Sequence, residues 1–174
     1  MKNNKYNLGL RIIHWLMSAL IIGMLYSGMY MKSLPISNEI KFSIYAIHKA
    51  CGITVLGLII VRIFFRVFTY IPPLPANFSR FVINASKTIH FCLYALMVLI
   101  PLSGYVMSSA SSKEIKYFVH IPPLLINHNE DLASAANQLH SILAYFMVLF
   151  IILHIIGALK HTFIDKQNIF KRMI

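Results

Sequence analysis

The chain has 174 residues, of which 58% are hydrophobic and 12% charged, and its mean hydropathy is +0.70. A water-soluble domain carries roughly a quarter of its residues as charges, so composition excludes an ordinary soluble protein and points to a lipid bilayer. The net charge of +11 follows the placement of basic residues around apolar segments and does not read as a nucleic-acid surface.

Four apolar runs, 12–31, 44–65, 89–107 and 139–159, are each close to the roughly 20 residues that a helix needs to cross hydrocarbon. The predicted fold is therefore all-α, an integral membrane four-helix bundle forming one domain over 1–174. The first run carries His14 and Trp15 at its start and lacks a small-residue cleavage site before Lys32, so it reads as a retained span. The second contains His48, Lys49, Cys51, Gly52 and Arg62. It is ended by Tyr70-Ile71-Pro72-Pro73-Leu74-Pro75, because proline cannot continue a helix and restricts its predecessor. The third is predicted to open on His90 and contains Cys92. The two cysteines fall at opposite expected depths and read as separate packing residues. The connection 108–138 is the longest, with Pro122-Pro123 inside an apolar patch of Tyr117, Phe118, Val119, Leu124 and Leu125 that suits a cap or a docking surface. The fourth run holds His140 and His154, with His161 at its end.

Eleven of the sixteen basic residues fall at the N-terminus, the second loop with its flanks, and the C-terminus, where Asp165 is the single acid. The other side holds Lys32, Lys41, Lys49, Lys113 and Lys116 against four acids. This asymmetry predicts that both termini are cytoplasmic.

An imidazole inside hydrocarbon is costly and usually functional. His140 and His154 are fourteen residues apart, which returns them to nearly one helix face about 21 Å apart along the axis. By depth, the outer layer pairs His48 with His140, and the inner layer pairs His154 with either His14 or His90. Two histidines facing each other across a bundle core supply both axial positions of a low-spin b-type haem. A zinc or copper site is the weaker alternative, since two histidines per layer fall short of a tetrahedral set. Gly52, four residues after His48, and Gly157, three after His154, leave room for a planar cofactor or for close helix packing. Arg62 lies fourteen residues after His48 at the inner depth, where a haem propionate would answer its charge.

The joint pattern resembles the prokaryotic cytochrome b561 family of four-helix di-haem membrane proteins. The likeness runs through Arg11-Ile12-Ile13-His14-Trp15, Ile47-His48 with Cys51-Gly52-Ile53 and Val61-Arg62, and His90 with Leu93-Tyr94 and Leu99-Ile100-Pro101-Leu102-Ser103-Gly104. It continues through His140, Ala144-Tyr145-Phe146, Leu153-His154, Ala158-Leu159-Lys160-His161 and the tail from Asp165 to Met173. The resemblance implies two haems b, one held by His14 and His154 and the other by His48 and His140. It also implies a bacterial inner (cytoplasmic) membrane carrier that exchanges electrons with quinone, in its compact form oxidising superoxide to O2 at the outer face and reducing ubiquinone. On that reading Lys49 steers the superoxide anion and His161 belongs to the quinone site. A second implied role is a relay subunit docked to a hydrogenase or dehydrogenase, alone or as a homo-oligomer.

Overall fold

The computed structural model describes residues 5–73, 78–111, 115–116, 120–121, 127–167 and 169–174. Lys113, Glu114 and the apolar patch with Pro122-Pro123, like Leu74 and Pro75, lie outside the described residues. Four helices dominate: α1 (Leu8–Ser33), α2 (Glu39–Phe68), α3 (Arg80–Ala110) and α4 (Glu130–Phe163). A short antiparallel pair, β1 (Ile115–Lys116) and β2 (His120–Ile121), lies between α3 and α4. A 3₁₀ turn, Phe170–Arg172, closes the chain.

All four helices are long and apolar enough to span a membrane. At 26, 30, 31 and 34 residues they exceed the hydrocarbon-crossing runs read from hydropathy. Each overrun begins at a side-chain cap that satisfies a free N–H of the first turn. The Asn7 Oδ1 accepts from the Gly9 N–H at 2.8 Å, Asn38 from Ile40 at 3.0 Å, Ser79 from Val82 at 3.4 Å, and Asn129 from Leu132 at 2.9 Å. Two expectations are corrected accordingly. His90 lies ten residues after the start of α3 instead of opening it, and residues 130–138 belong to α4 instead of to the preceding loop.

The helices run up, down, up and down, so that a heptad stripe from each lines the axis. These stripes are 14-21-28, 48-55-62, 90-97-104 and 140-147-154. The middle of the bundle is aliphatic and thioether, with Met17, Val55, Ile59, Leu96, Met97 and Met147 buried together and Ile21 packed against them. Large apolar side chains such as Tyr26, Phe81, Phe91 and Tyr145 are exposed on the outside, where a soluble protein would be polar and a lipid-facing one is not.

The end holding both termini is tied shut. Arg172, 9% exposed, donates from Nη2 to the Pro72 and Pro73 carbonyls at 2.6 and 2.9 Å, and its guanidinium lies over the Tyr6 ring. The Tyr6 N–H donates to the Arg172 carbonyl at 3.1 Å. The Trp15 indole donates to the Met173 carbonyl at 2.8 Å and packs on Phe170. The first helix, the second loop and the tail are thereby one unit.

Candidate functional site

Because the stripes are antiparallel, residues that begin two of them meet residues that end the others. One layer gathers His48 and His140 with Gly28 and Gly104; the other gathers His14, His154, His90 and Arg62. The histidines of α4 that define the two layers are fourteen residues apart, about 21 Å along the helix.

In the first layer the His48 and His140 rings stand 6.3 Å apart, centre to centre, at 68° between planes. Two imidazoles bonded to one metal at about 2.0–2.1 Å hold their centres roughly 6.3 Å apart. This gap therefore fits one iron. Hydrogen bonds fix the rings. The Ser27 hydroxyl donates to the Met24 carbonyl at 3.0 Å, which leaves its oxygen to accept from His48 Nδ1–H at 2.9 Å. His140 Nδ1–H donates to the Ile100 carbonyl at 2.9 Å, with Ser103 Oγ at 3.0 Å. In both rings the proton is on Nδ1, so the Nε2 lone pair is available to a metal. Gly28 and Gly104 flank the pair: an added Cβ would stand 3.6 Å from the His48 ring in one case and 3.2 Å from the His140 ring in the other. Their lack of side chains keeps a planar space beside each ligand candidate.

In the second layer His14 and His154 are also 6.3 Å apart, at 71°. His90 is nearer to His154, at 5.1 Å, which is too close for one iron between the rings by the same geometry. Its Nδ1–H donates to the Ser86 carbonyl at 2.7 Å. The glycines of the first layer are replaced here by His90 and Arg62. Arg62 is 8% exposed; its Nε donates to the Tyr94 hydroxyl at 3.1 Å and its Nη2 to His14 Nδ1 at 3.2 Å. Its Nη1 is buried with no hydrogen-bond partner among the described residues, the feature expected of a cation facing an anionic group such as a haem propionate.

Of the remaining candidates, Lys49 follows His48 directly and is partly buried. Gly52 would meet Met24 at 3.6 Å if it carried a Cβ, while Gly157 faces open space. His161 sits in the last turn of α4 with its ring 4.7 Å from that of Phe78, and its Nδ1 is 2.5 Å from the Asp165 carboxylate. On another face of the same helix end, Ile156, Leu159, Phe163 and Ile164 with Lys160 line a shallow apolar depression of about 270 Å³. The sequence reading did not single out Ser27, Gly28, Ser103, Gly104 or Tyr94 for these roles. The stripes 14-21-28 and 90-97-104 would have marked both glycines, since each ends fourteen residues after a histidine.

The sequence pattern of the family described as prokaryotic cytochrome b561 matches residues 5–174. The chain is 32% identical over 163 residues to cytochrome b561 homolog 2 of Escherichia coli (strain K12), covering 92% of this chain and 86% of that relative.

Proposed function

The chain belongs to the prokaryotic cytochrome b561 family, multi-pass membrane electron-transfer proteins that bind haem b, and from that premise we propose that it is a di-haem superoxide:quinone oxidoreductase of the bacterial inner membrane. The observation that carries the two-haem reading is the shared 6.3 Å separation of His14 from His154 and of His48 from His140. A haem in each layer supplies one-electron redox chemistry at its iron. The residues of the chain do the rest.

Ser27, Ser103 and the Ile100 carbonyl hold the outer imidazoles with Nε2 turned to the axis, so no ring reorientation accompanies electron transfer. Gly28 and Gly104 leave space beside those rings. In the inner layer Arg62 answers an acid group with its unpartnered Nη1; because His14 must carry its proton on Nδ1 to bind a metal through Nε2, the Nη2 contact with Nδ1 would give way once the group is bound. Aliphatic and methionine side chains between the layers exclude water from the path. With both termini cytoplasmic, Lys49 lies at the outer end and draws the superoxide anion toward His48 and His140. At the inner end His161 donates a hydrogen bond to a quinone carbonyl. The reaction balances as two superoxide and one quinone with two protons giving two O2 and one quinol.

Stopped-flow mixing of the purified protein with superoxide, with and without ubiquinone, tests this. Rapid haem reduction followed by quinone-dependent reoxidation is expected. Inertness to superoxide alongside reduction by a docked hydrogenase or dehydrogenase would make the chain a relay subunit.

A further inference from the structure

α4 ends in a way that brings an acid back onto its own last turn. The Ile164 and Asp165 N–H groups donate to the Lys160 carbonyl at 2.9 and 3.1 Å, and the Gln167 N–H to the His161 carbonyl at 2.8 Å. Lys166 adopts φ 54°, the left-handed conformation that closes helix C-termini and that a side-chain-bearing residue enters at a cost. Asp165 is four residues after His161 and Ile164 between them stays helical, so the two side chains share one face, with Asp165 Oδ2 2.5 Å from His161 Nδ1 and 2.8 Å from Lys160 Nζ and Oδ1 3.1 Å from the same ammonium. A carboxylate at a helix C-terminus opposes the helix dipole, yet on an end rich in lysine and arginine this is the one acid.

We propose that Asp165 and His161 form a carboxylate–imidazole pair that passes protons from the inner aqueous phase to the quinone, with Asp165 as the positioning residue. This rests on the quinone reading given above. His161 lies seven residues beyond His154, two helical turns and about 10.5 Å along the same face, so the proton and the electron reach the acceptor on one stripe of α4. Accessibility is graded in the required direction, the Asp165 side chain being 29% exposed and that of His161 16%. Phe78 covers the ring. Asp165 accepts the Nδ1–H and leaves Nε2 to the substrate. Its hydrogen bonds from Lys160 and then His161 hold its carboxyl below the ordinary carboxylate range, so it stays an anion that accepts from the imidazole. For each electron that arrives, an N–H bond of the His161 imidazolium breaks and an O–H bond forms on the quinone. The neutral ring takes its next proton from water beside Asp165. Two electrons and two protons complete the quinol.

The test uses the full-length, haem-loaded protein in nanodiscs, reduced and then mixed with a short-chain ubiquinone or with ferricyanide, which accepts electrons without protons. Asp165→Asn is expected to slow quinone-dependent reoxidation by about tenfold or more, as loss of an aligned proton donor does, and to raise its solvent deuterium isotope effect. Ferricyanide reoxidation and the haem spectra remain those of the wild type, and Asp165→Glu recovers most of the quinone rate. Wild-type quinone kinetics in Asp165→Asn overturn the proposal. Equal slowing with both acceptors overturns it in favour of a structural brace. A wild type oxidised by ferricyanide but never by quinone overturns the acceptor reading and this pair's role with it.

Discussion

Gly104 lies against His140 so closely that a Cβ built on it would stand 3.2 Å from the ring Cε1 and 3.3 Å from Nδ1. A methyl group there requires the imidazole to yield by a few tenths of an ångström, while His140 is already held by Ile100 and Ser103. Gly104→Ala is therefore expected to perturb the outer haem and Gly104→Val to expel it, lowering extracted haem from about two per chain to about one. The same haem should be lost in His48→Ala and in His140→Ala. Loss of different haems in those two variants would break the pairing.

The inner layer offers His154 two neighbours, His14 with its ring 6.3 Å away and His90 with its ring 5.1 Å away. His14→Ala is expected to abolish the inner low-spin signal in electron paramagnetic resonance. His90→Ala should leave both haems six-coordinate, because a 5.1 Å ring separation leaves no room for an iron. A high-spin inner haem in His90→Ala would reverse the assignment.

Residue depth left this choice open, and in the sequence only the family resemblance pointed to His14. Hydropathy gives depth, and depth alone puts His14 and His90 in one layer; only the azimuth of each helix separates them. The four spans and the His48–His140 meeting were legible because a fourteen-residue repeat restores the same helix face. Helix ends were underestimated because polar interfacial turns add nothing to hydropathy, although Asn7, Asn38, Ser79 and Asn129 are ordinary capping residues. The bond between His161 and Asp165 is not legible in the fourth apolar run, which ends at 159, whereas α4 reaches Phe163 and Ile164 stays helical, which makes the two an i,i+4 pair.

The proposed orientation rests on eleven basic residues against five. Reporter fusions at residues 34–37 and between α3 and α4 should report an extracytoplasmic position, and fusions between α2 and α3 a cytoplasmic one. The reverse pattern would put Lys49 in the cytoplasm and remove the argument for electron entry from outside.

Arg172 holds together three segments far apart in sequence, so its loss should be felt in stability before it is felt in electron transfer. Arg172→Met keeps much of the packing but leaves the Pro72 and Pro73 carbonyls without their donor. A cost of about 1.5–3 kcal/mol is expected for hydrogen bonds to a charged group, read as a lower thermal midpoint for loss of the haem absorption band. Unchanged stability would mean that Trp15 and Tyr6 suffice to hold the tail.

Superoxide is a small anion, and its capture should bear the signature of charge at the outer end. Lys41 is already committed, its Nζ donating to the Leu34 carbonyl at 2.7 Å, which fixes one positive charge on the loop joining α1 and α2. Lys49 is one residue from the ligand candidate His48, and it is the cation proposed to act at short range. Attraction between exposed charges is screened beyond about 10 Å at 0.1 M ionic strength, so the bimolecular rate of haem reduction should fall as salt rises. Lys49→Gln should lower that rate at low salt and flatten its salt dependence, leaving the spectra and the quinone step unchanged. Lys41→Gln should do less, because Lys41 stands seven residues before His48 on α2, about 10.5 Å along the axis. If Lys49→Gln kept both the rate and the slope of the wild type, anion capture would have to depend on other charges of the outer face, and Lys49 would have no steering role.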